Sequence, residues 1–385
     1  MSGASRTEGQ TLRFLHLHST FDAGGKELRC ARLINAFGPN VAHALVSAQP
    51  GALSAGRHIL PSIPMRYLGA FPPLAAMPTP WRLHRIANAM RGFDLILTYN
   101  WGAMDAVMAH TIFAQPFGLP PLVHHEDGFN ADEAGKLKSS RNWYRRIALG
   151  RADALVVPSI RLERIARETW LQPADKVHRI ANGIRTRDFA RKPRKDALPR
   201  LIKREGECWV GTLAGLRAVK NLPRMVRAFS GLPEHWHLVI LGEGPEREAI
   251  RQEAARLNIV HRVHLPGFVD PAKAAGLFDI FALSSDSEQF PLSVVEAMAA
   301  GLPVAAPAVG DIPQIVAEAN RPFIVEPGNE AALAQALERL AADPGLRKAL
   351  GQANKARAQE RFDESGMVEA YRALYAGVMG REMLP

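Results

Sequence analysis

SSDSEQFPLSVVEAMAAGLPVAA, residues 284–306, is the segment on which the architecture turns. With the residues before it, DIFALSS reads as a strand, DSEQF as a loop and PLSVVEAMAA as a short helix, capped by Gly301 with Pro303 just beyond. Leu292, Val294, Val295, Ala297, Met298, Ala299 and Ala300 make that helix apolar on every side, which predicts burial all round. Glu296 is the one acid among them. A buried carboxylate is costly unless it is paired, and two neighbouring hydroxyls, as on a ribose, would satisfy its two oxygens. Glu288 lies in the loop before the helix, where loop amides and the helix N-terminus favour an anion. The plainer alternative pairs Glu296 with a lysine or arginine and leaves Glu288 as a solvated acid.

Outward from this segment the same grammar repeats. LRFLHLHS, TFDAGG and KELRCARLINAF read as strand, glycine loop and helix. FDLILTYN precedes the helical GAMDAVMAHTIF, PLVHHEDG lies near residue 125, and ADALVVPS precedes RLERIARETW. Further on, CWVGTLAG, HWHLVILGEG, RVHLPGF, DIFALSS and LPVAAPAVG alternate with helical or loop segments. Short β-rich runs alternating with helices predict parallel sheets covered on both faces. Between the two series, residues 185–207 (RTRDFARKPRKDALPRLIKREGE) are basic and aperiodic, and read as a linker or domain edge. The expected fold class is α/β, with two Rossmann-like parallel-sheet domains facing a central cleft that holds the ligand at the strands' carboxyl ends. The expected division is a disordered 1–10, a first domain 11–190, a second 191–360, and a C-terminal helix 361–385 crossing back onto the first domain.

Composition narrows the function classes. The chain has 385 residues, 47% hydrophobic and 22% charged, which excludes a wholly disordered protein and gives room for two or three domains. Lys+Arg 48 against Asp+Glu 38 leaves a net +10, favouring an anionic partner: a nucleic acid, a phospholipid surface or a phosphorylated small molecule. Cys30 and Cys208 form no CxxC or Cys/His signature, so neither a disulfide framework nor a cysteine zinc site is expected. No apolar run reaches the roughly 18 residues of a membrane helix, and the polar MSGASRTEGQ lacks a signal peptide's apolar region. The expected location is cytoplasmic, with peripheral contact to the inner face of a membrane.

Glu288-x7-Glu296 inside EQFPLSVVEAMAAGLPV resembles the signature of the retaining glycosyltransferases of family 4, which have the two-domain GT-B fold. VGTLAGLRAVKN, VILGEGPERE and VHLPGFV followed by LFDIFALSS resemble, in order, the family's donor-binding domain. The Gly24-Gly25 loop with Glu27, and Asn182-Gly183-Ile184, resemble parts of its first half, so the likeness covers nearly the whole chain. The resemblance implies that Glu296 binds the ribose of a nucleoside-diphosphate sugar, Glu288 lies near the transferred sugar, and Lys220 holds the diphosphate. Gly24, Gly25, Phe290, Leu292 and Ser293 join them as donor-binding candidates. Where the family usually has an arginine, this chain has Gly215, and Arg217 is the candidate substitute, since a guanidinium bridges two phosphate oxygens. A surface arginine is the alternative. Gln289 replaces a common glycine, and Gln314 replaces an acid that often follows VGDIP.

PLVHHEDG puts His124 and His125 at a strand end, where alternation points only one of them toward the cleft. By resemblance a histidine here contacts the donor sugar. His125 is the favoured catalytic residue beside Glu288 and Lys220, with His124 and Asp127 as candidate sugar contacts. The alternative gives both histidines structural hydrogen-bonding roles. The Gly24-Gly25 loop is an anion seat or simply a turn, and Gly242-Glu243-Gly244 lacks the third glycine of a dinucleotide fingerprint. Asp286-Ser287-Glu288 has only a passing likeness to metal-holding acids, so no metal or other cofactor is expected. In RNWYRRIALGR, Trp143, Tyr144 and Ile147 interleave with Arg141, Arg145 and Arg146, the composition of an interfacial helix on an anionic membrane; a solvated face is the alternative.

The combined expectation is a retaining hexosyltransferase-type enzyme acting on a carbohydrate or lipid-linked acceptor in polysaccharide or glycolipid biosynthesis, with no nucleic acid partner. The rivals are a nucleotide-sugar epimerase of the same architecture, an inactive glycosyltransferase-like partner and a basic nucleic-acid-binding protein. The last leaves Glu296 without a role.

Overall fold

The computed structural model describes residues 11–129, 133 and 137–384, and the expectation for residues 1–10 lies outside them. Two compact units divide the chain, one from residues 1–181 with 368–385 and one from 182–367.

In the first unit come β1 (Leu12–His18), α1 (Gly25–Phe37), β2 (Val41–Ser47), β3 (Met65–Tyr67), α2 (Pro80–Ala89), β4 (Leu95–Tyr99), α3 (Met104–Phe117), β5 (Leu122–His125), α4 (Ser139–Ala148), β6 (Ala154–Val157), α5 (Ile160–Glu168) and β7 (Val177–Arg179). They form one parallel sheet in the order β3-β2-β1-β4-β5-β6-β7. Crossover helices cover a parallel sheet on both faces, which is why β4, β5 and β6 are buried at every position. Thr79 and Ser159 cap α2 and α5 by accepting from the backbone amides of Arg82 and Leu162.

The second unit contains β8 (Cys208–Leu213), α6 (Leu222–Phe229), β9 (Trp236–Leu241), α7 (Arg247–Arg256), β10 (Val263–Gly267), β11 (Ile280–Ala282), α8 (Leu292–Ala299), β12 (Val304–Pro307), α9 (Ile312–Ile315), β13 (Ile324–Val325), α10 (Glu330–Ala342) and α11 (Pro344–Arg361). Its sheet runs β10-β9-β8-β11-β12-β13, again parallel throughout. The order reverses between β8 and β11, so the loops leaving these two adjacent strands diverge from one edge, the usual ligand position in such sheets.

The last helix, α12 (Glu364–Val378), buries Tyr371 and Tyr375 in the first unit, with Tyr375 edge-on to Phe14 and Phe37 at 6.2 and 5.8 Å. The chain passes between units at 181/182 and 367/368, against the expected 190/191 and 360/361. The reason is local pairing in the second unit: Ile184 N donates to Phe362 O at 2.9 Å and Glu364 N donates to Ile184 O at 2.8 Å. The basic segment 185–207 is docked rather than free, with Leu198 buried and Lys203 Nζ paired to Asp279 at 2.6 Å. No described helix is long and apolar enough to cross a membrane.

Candidate active site

In the second unit, the loop after β8 (residues 214–221) and the loop after β11 (residues 283–291) are braced into one plate. Asp286 N donates to Val219 O at 2.9 Å, and Ser284 Oγ donates to Lys220 O at 2.9 Å. Arg224, from the first turn of α6, donates to Asp286 Oδ1 at 2.6 Å and to Ser284 O at 3.2 Å, while Asn221 Nδ2 donates to Asp286 Oδ2 at 3.2 Å. Asp286 thus serves as a brace between loops. At the centre, Lys220 Nζ lies 2.5 Å from Glu288 Oε1, which also accepts from Ser285 Oγ at 2.8 Å. Both members are largely but not fully covered, with side chains 15% and 11% exposed.

Close backbone approach holds these loops. A Cβ on Gly310 (φ 58°) would lie 2.6 Å from the carbonyl oxygens of Glu288 and Gln289, and Asp311 N donates to Gln289 O at 3.1 Å. Gly244 has the equivalent role under the first loop, since a Cβ there would meet Leu216 O at 2.4 Å. The GEG turn is therefore a seat for the 214–216 backbone.

The helix carrying Glu296 is not buried all round. Val294, Val295, Ala297, Met298 and Ala299 are buried, while Leu292, Ser293 and Glu296 are partly exposed. Spacings of three and four residues put these on one stripe, so the carboxylate sits at the edge of the core. Phe290 packs edge-on against Phe362 at 5.6 Å. Arg217 is exposed, and its Nε lies 3.6 Å from where a Cβ of Gly215 would stand, so its side chain lies over the position that lacks one. The second unit thus gathers Lys220 and Glu288 in direct contact, with Glu296 on the helix that follows.

In the first unit the expected histidines are interior. His125 is 1% exposed; its Nδ1 lies 3.1 Å from Thr98 O and its Nε2 2.8 Å from the Tyr375 hydroxyl, while the ring stacks on Tyr99. Burial, reinforced by the Arg29 charge, pushes its pKa down to about 3, so it is neutral at pH 7. His124 is also sealed, with Nδ1 2.8 Å from Thr98 Oγ1. Asp127 is held by both guanidinium nitrogens of Arg29, the second at 2.9 Å, and its amide donates to Asn100 Oδ1 at 2.8 Å. Burial pushes the Asp127 carboxyl up, but the Arg29 charge and hydrogen bonds outweigh this and hold it below the usual carboxylate range. With these groups engaged, neither histidine is exposed, and Asp127, with its side chain 13% exposed, is held by Arg29.

The glycine loop is also partly spoken for. Gly24 is the N-cap of α1, and a Cβ there would lie 2.7 Å from Glu27 Oε2, so the helix's own acid folds back over its N-terminus. Gly25 has open space around its Cβ position. Of the interfacial candidates, Arg145 is excluded from any surface role. It is fully buried between Glu126 and Glu133, both at 3.3 Å, and packs over Trp101, Phe129 and Trp170. Arg141 pairs with Glu133 at 2.9 Å. Trp143 and Ile147, 61% and 55% exposed, remain on the outer face with Arg146 stacked on Trp143. Sequence reasoning missed Ser285, Arg224 and Gly310 in the second unit and the Arg29–Asp127 pair in the first.

Residues 194–357 match the family model described as glycosyl transferases group 1, and residues 23–188 match the model described as glycosyltransferase family 4. A lipopolysaccharide core biosynthesis glycosyltransferase, LpsD of Rhizobium meliloti (strain 1021), is 25% identical over 381 residues, covering 94% of this chain and 98% of that one. N-acetyl-alpha-D-glucosaminyl L-malate synthase of Bacillus anthracis is 29% identical over 170 residues, and there the match spans 43% of this chain and 45% of that protein. Among solved structures, HepE of Anabaena in complex with UDP superposes with a TM-score of 0.78 at 20% identity, covering 95% of this chain and 100% of that chain. With both halves matched in order and the two parallel sheets in place, the chain belongs to the family 4 glycosyltransferases of the GT-B fold.

Proposed function

We propose that the chain transfers a hexosyl group from a nucleoside-diphosphate sugar to a carbohydrate or lipid-linked acceptor, with retention of anomeric configuration, in polysaccharide or glycolipid assembly. The observation that carries this reading is the Lys220–Glu288 contact at the carboxyl edge of the second sheet, with Glu296 on the helix that follows. A diphosphate competes with Glu288 for the Lys220 ammonium. Its arrival would turn the lysine onto the leaving group and release the Glu288 carboxylate toward sugar hydroxyls. Lys220 then stabilises charge as it develops on the departing diphosphate, which is where electrostatic catalysis gains most. The diphosphate, once free, takes the acceptor hydroxyl's proton on the same face. Glu296 accepts from the two ribose hydroxyls, and Arg217, lying over Gly215, supplies a second cation. No metal is assigned to these loops, since Arg224 and Asn221 already engage the one further acid, Asp286.

The relatives support the direction. LpsD is named for lipopolysaccharide core biosynthesis, and HepE has been crystallised with UDP and with UDP-glucose. For the acceptor, the first unit offers a cavity of about 390 Å³ beyond the carboxyl end of β4, lined by Leu74, Pro78, Trp101, Asp105, Arg141 and Tyr144. We place the cytoplasmic, peripheral membrane contact on Trp143, Arg146 and Ile147 alone; failure to float with anionic vesicles would remove it.

The deciding experiment incubates the full chain with UDP-, GDP- and ADP-linked hexoses and a panel of glycan and glycolipid acceptors, and reads product anomeric configuration by NMR. Transfer with retention is expected. An inverted linkage would overturn the stereochemical reading, and an epimerised nucleotide sugar made without acceptor would favour the epimerase.

A further inference from the structure

His16 and His18 are two residues apart on β1 and therefore point to the same face of the sheet, where Cys30 of α1 packs down on them. One side-chain ligand atom from each lies within 4.8 Å of the other two, and all three residues are buried. His18 is 0% exposed, and neither of its ring nitrogens has a hydrogen-bond partner among the described residues. Its ring is stacked on Tyr99 at 3.9 Å and meets Phe21 edge-on at 5.0 Å. A fully buried imidazole with both nitrogens idle is rare in folded proteins, and an ion is one of the few things that explains it.

The Cys30–His16 separation is that of two ligands in one coordination shell. Cys30 Sγ lies 3.5 Å from His16 Nδ1 and 3.5 Å from the Tyr99 hydroxyl oxygen, and His16 Nδ1 lies 3.2 Å from that oxygen. Around a tetrahedral zinc with bonds of about 2.3 Å to sulfur and about 2.0–2.1 Å to nitrogen and oxygen, ligand atoms stand about 3.5 Å apart when one is sulfur and about 3.3 Å apart otherwise. The Tyr99 hydroxyl is within hydrogen-bond reach of both His16 Nδ1 and Cys30 Sγ, so it stands beside the ligand atoms as their hydrogen-bond partner. His16 Nε2 lies 2.9 Å from His43 Nδ1, an outer partner; with His16 donating to it, the His16 Nδ1 lone pair faces inward toward the ion.

We propose that His16, His18 and Cys30 form a buried structural site for a zinc ion, with the Tyr99 hydroxyl as a hydrogen-bonding neighbour of Cys30 rather than a ligand. Nitrogen and sulfur ligands select zinc over calcium or magnesium. On binding, the Cys30 thiol gives its proton to solvent and coordinates as thiolate. His18 and Cys30 flank the TFDAGG loop, so the ion ties the end of β1 to α1 and fixes the glycine loop between them. Sequence spacing gives no zinc signature because the ligands are a pair on a strand and a cysteine twelve residues further on, in the next helix.

The test uses the full chain, untagged and refolded from denaturant in the presence of zinc or cobalt. The expected result is about one zinc per chain, a thiolate-to-cobalt absorption band, and a lower melting temperature after chelation. Cys30→Ser should lose the band, and His18→Phe, which keeps a packed ring, should lose the bound zinc. A wild-type chain that takes up no stoichiometric zinc and ignores chelator would overturn the proposal. So would equal zinc content in wild type, Cys30→Ser and His18→Phe, which would place the metal on the surface. None of these readouts depends on sugar transfer.

Discussion

The two units present their polar residues in opposite ways. In the first, His16, His18, His124, His125 and Arg29 are buried under helices, and those with partners pair inward. In the second, Lys220, Glu288, Glu296 and Arg217 stand on loops and a helix stripe that remain partly open. Both sheets are parallel and both carry polar residues near the carboxyl ends of their central strands, so the difference is not one of architecture. It lies in where the residues sit relative to the strand end. Residues inside a strand of a doubly covered sheet face a helix whichever way they alternate, whereas residues a few positions further on leave the layer and meet solvent or ligand.

The largest effect expected from this contrast is on stability in the first unit. Arg29→Met leaves the largely covered Asp127 carboxylate without its partner and should cost about 3 kcal/mol in denaturant unfolding. A loss below about 1 kcal/mol with activity abolished would mean that the pair serves substrate instead, and the contrast would break. Next is Lys220→Ala, which should lower kcat/KM for the donor by about 10²–10³ with the melting temperature little changed. Collapse of the fold without a specific kinetic loss would assign the Lys220–Glu288 pair to structure.

A third expectation concerns acid. His125 is held at about 3 and His43 at about 4, mainly by burial, and His16 and His18 are lowered by the same cause. The unfolded chain binds protons at these histidines near their ordinary value of about 6.5, and the folded chain does not. Stability should therefore fall as pH drops from about 6.5 toward 4, each such histidine adding a slope of up to about 1.4 kcal/mol per pH unit. The depressed Asp127 acts in the same direction at the lowest pH, because folding favours its ionised form. Melting temperatures from pH 8 to 4 read this directly, and His125→Phe should flatten the profile; a profile level down to pH 5 would contradict the buried neutral histidines. The smallest expected effect is that of Arg217→Ala, which should weaken diphosphate binding roughly fivefold, about 1 kcal/mol for an exposed contact. No change would leave Gly215 without a substitute.

What could be read from the sequence follows the range of the interactions involved. Glu288 and Glu296 share one loop-helix segment, and Lys220 lies in a glycine-containing loop after a clear strand, so local pattern and family resemblance were enough to single them out, though not to show that Lys220 and Glu288 touch. The alternation of β-rich runs and helices likewise pointed to two parallel sheets. His125 was misplaced because its cover comes from Tyr375, on a helix at the other end of the chain. Arg145 looked like a surface residue because nothing in RNWYRRIALGR shows that Glu126 and Glu133 wait beneath that helix face. β3 and β13 span three and two residues, too short for a period of two to show. The half-open stripe of α8 was hidden because apolar composition does not record which positions another element covers.

The central claim is that the second unit's loops bind the nucleotide of a sugar donor. Calorimetric titration of the full chain with UDP, GDP and ADP, repeated on Glu296→Ala, tests it most directly. The account predicts that one nucleotide binds clearly more tightly than the other two and that the substitution weakens it at least tenfold, about 1.4 kcal/mol. Binding of none of the three, or affinity indifferent to Glu296→Ala, would contradict it.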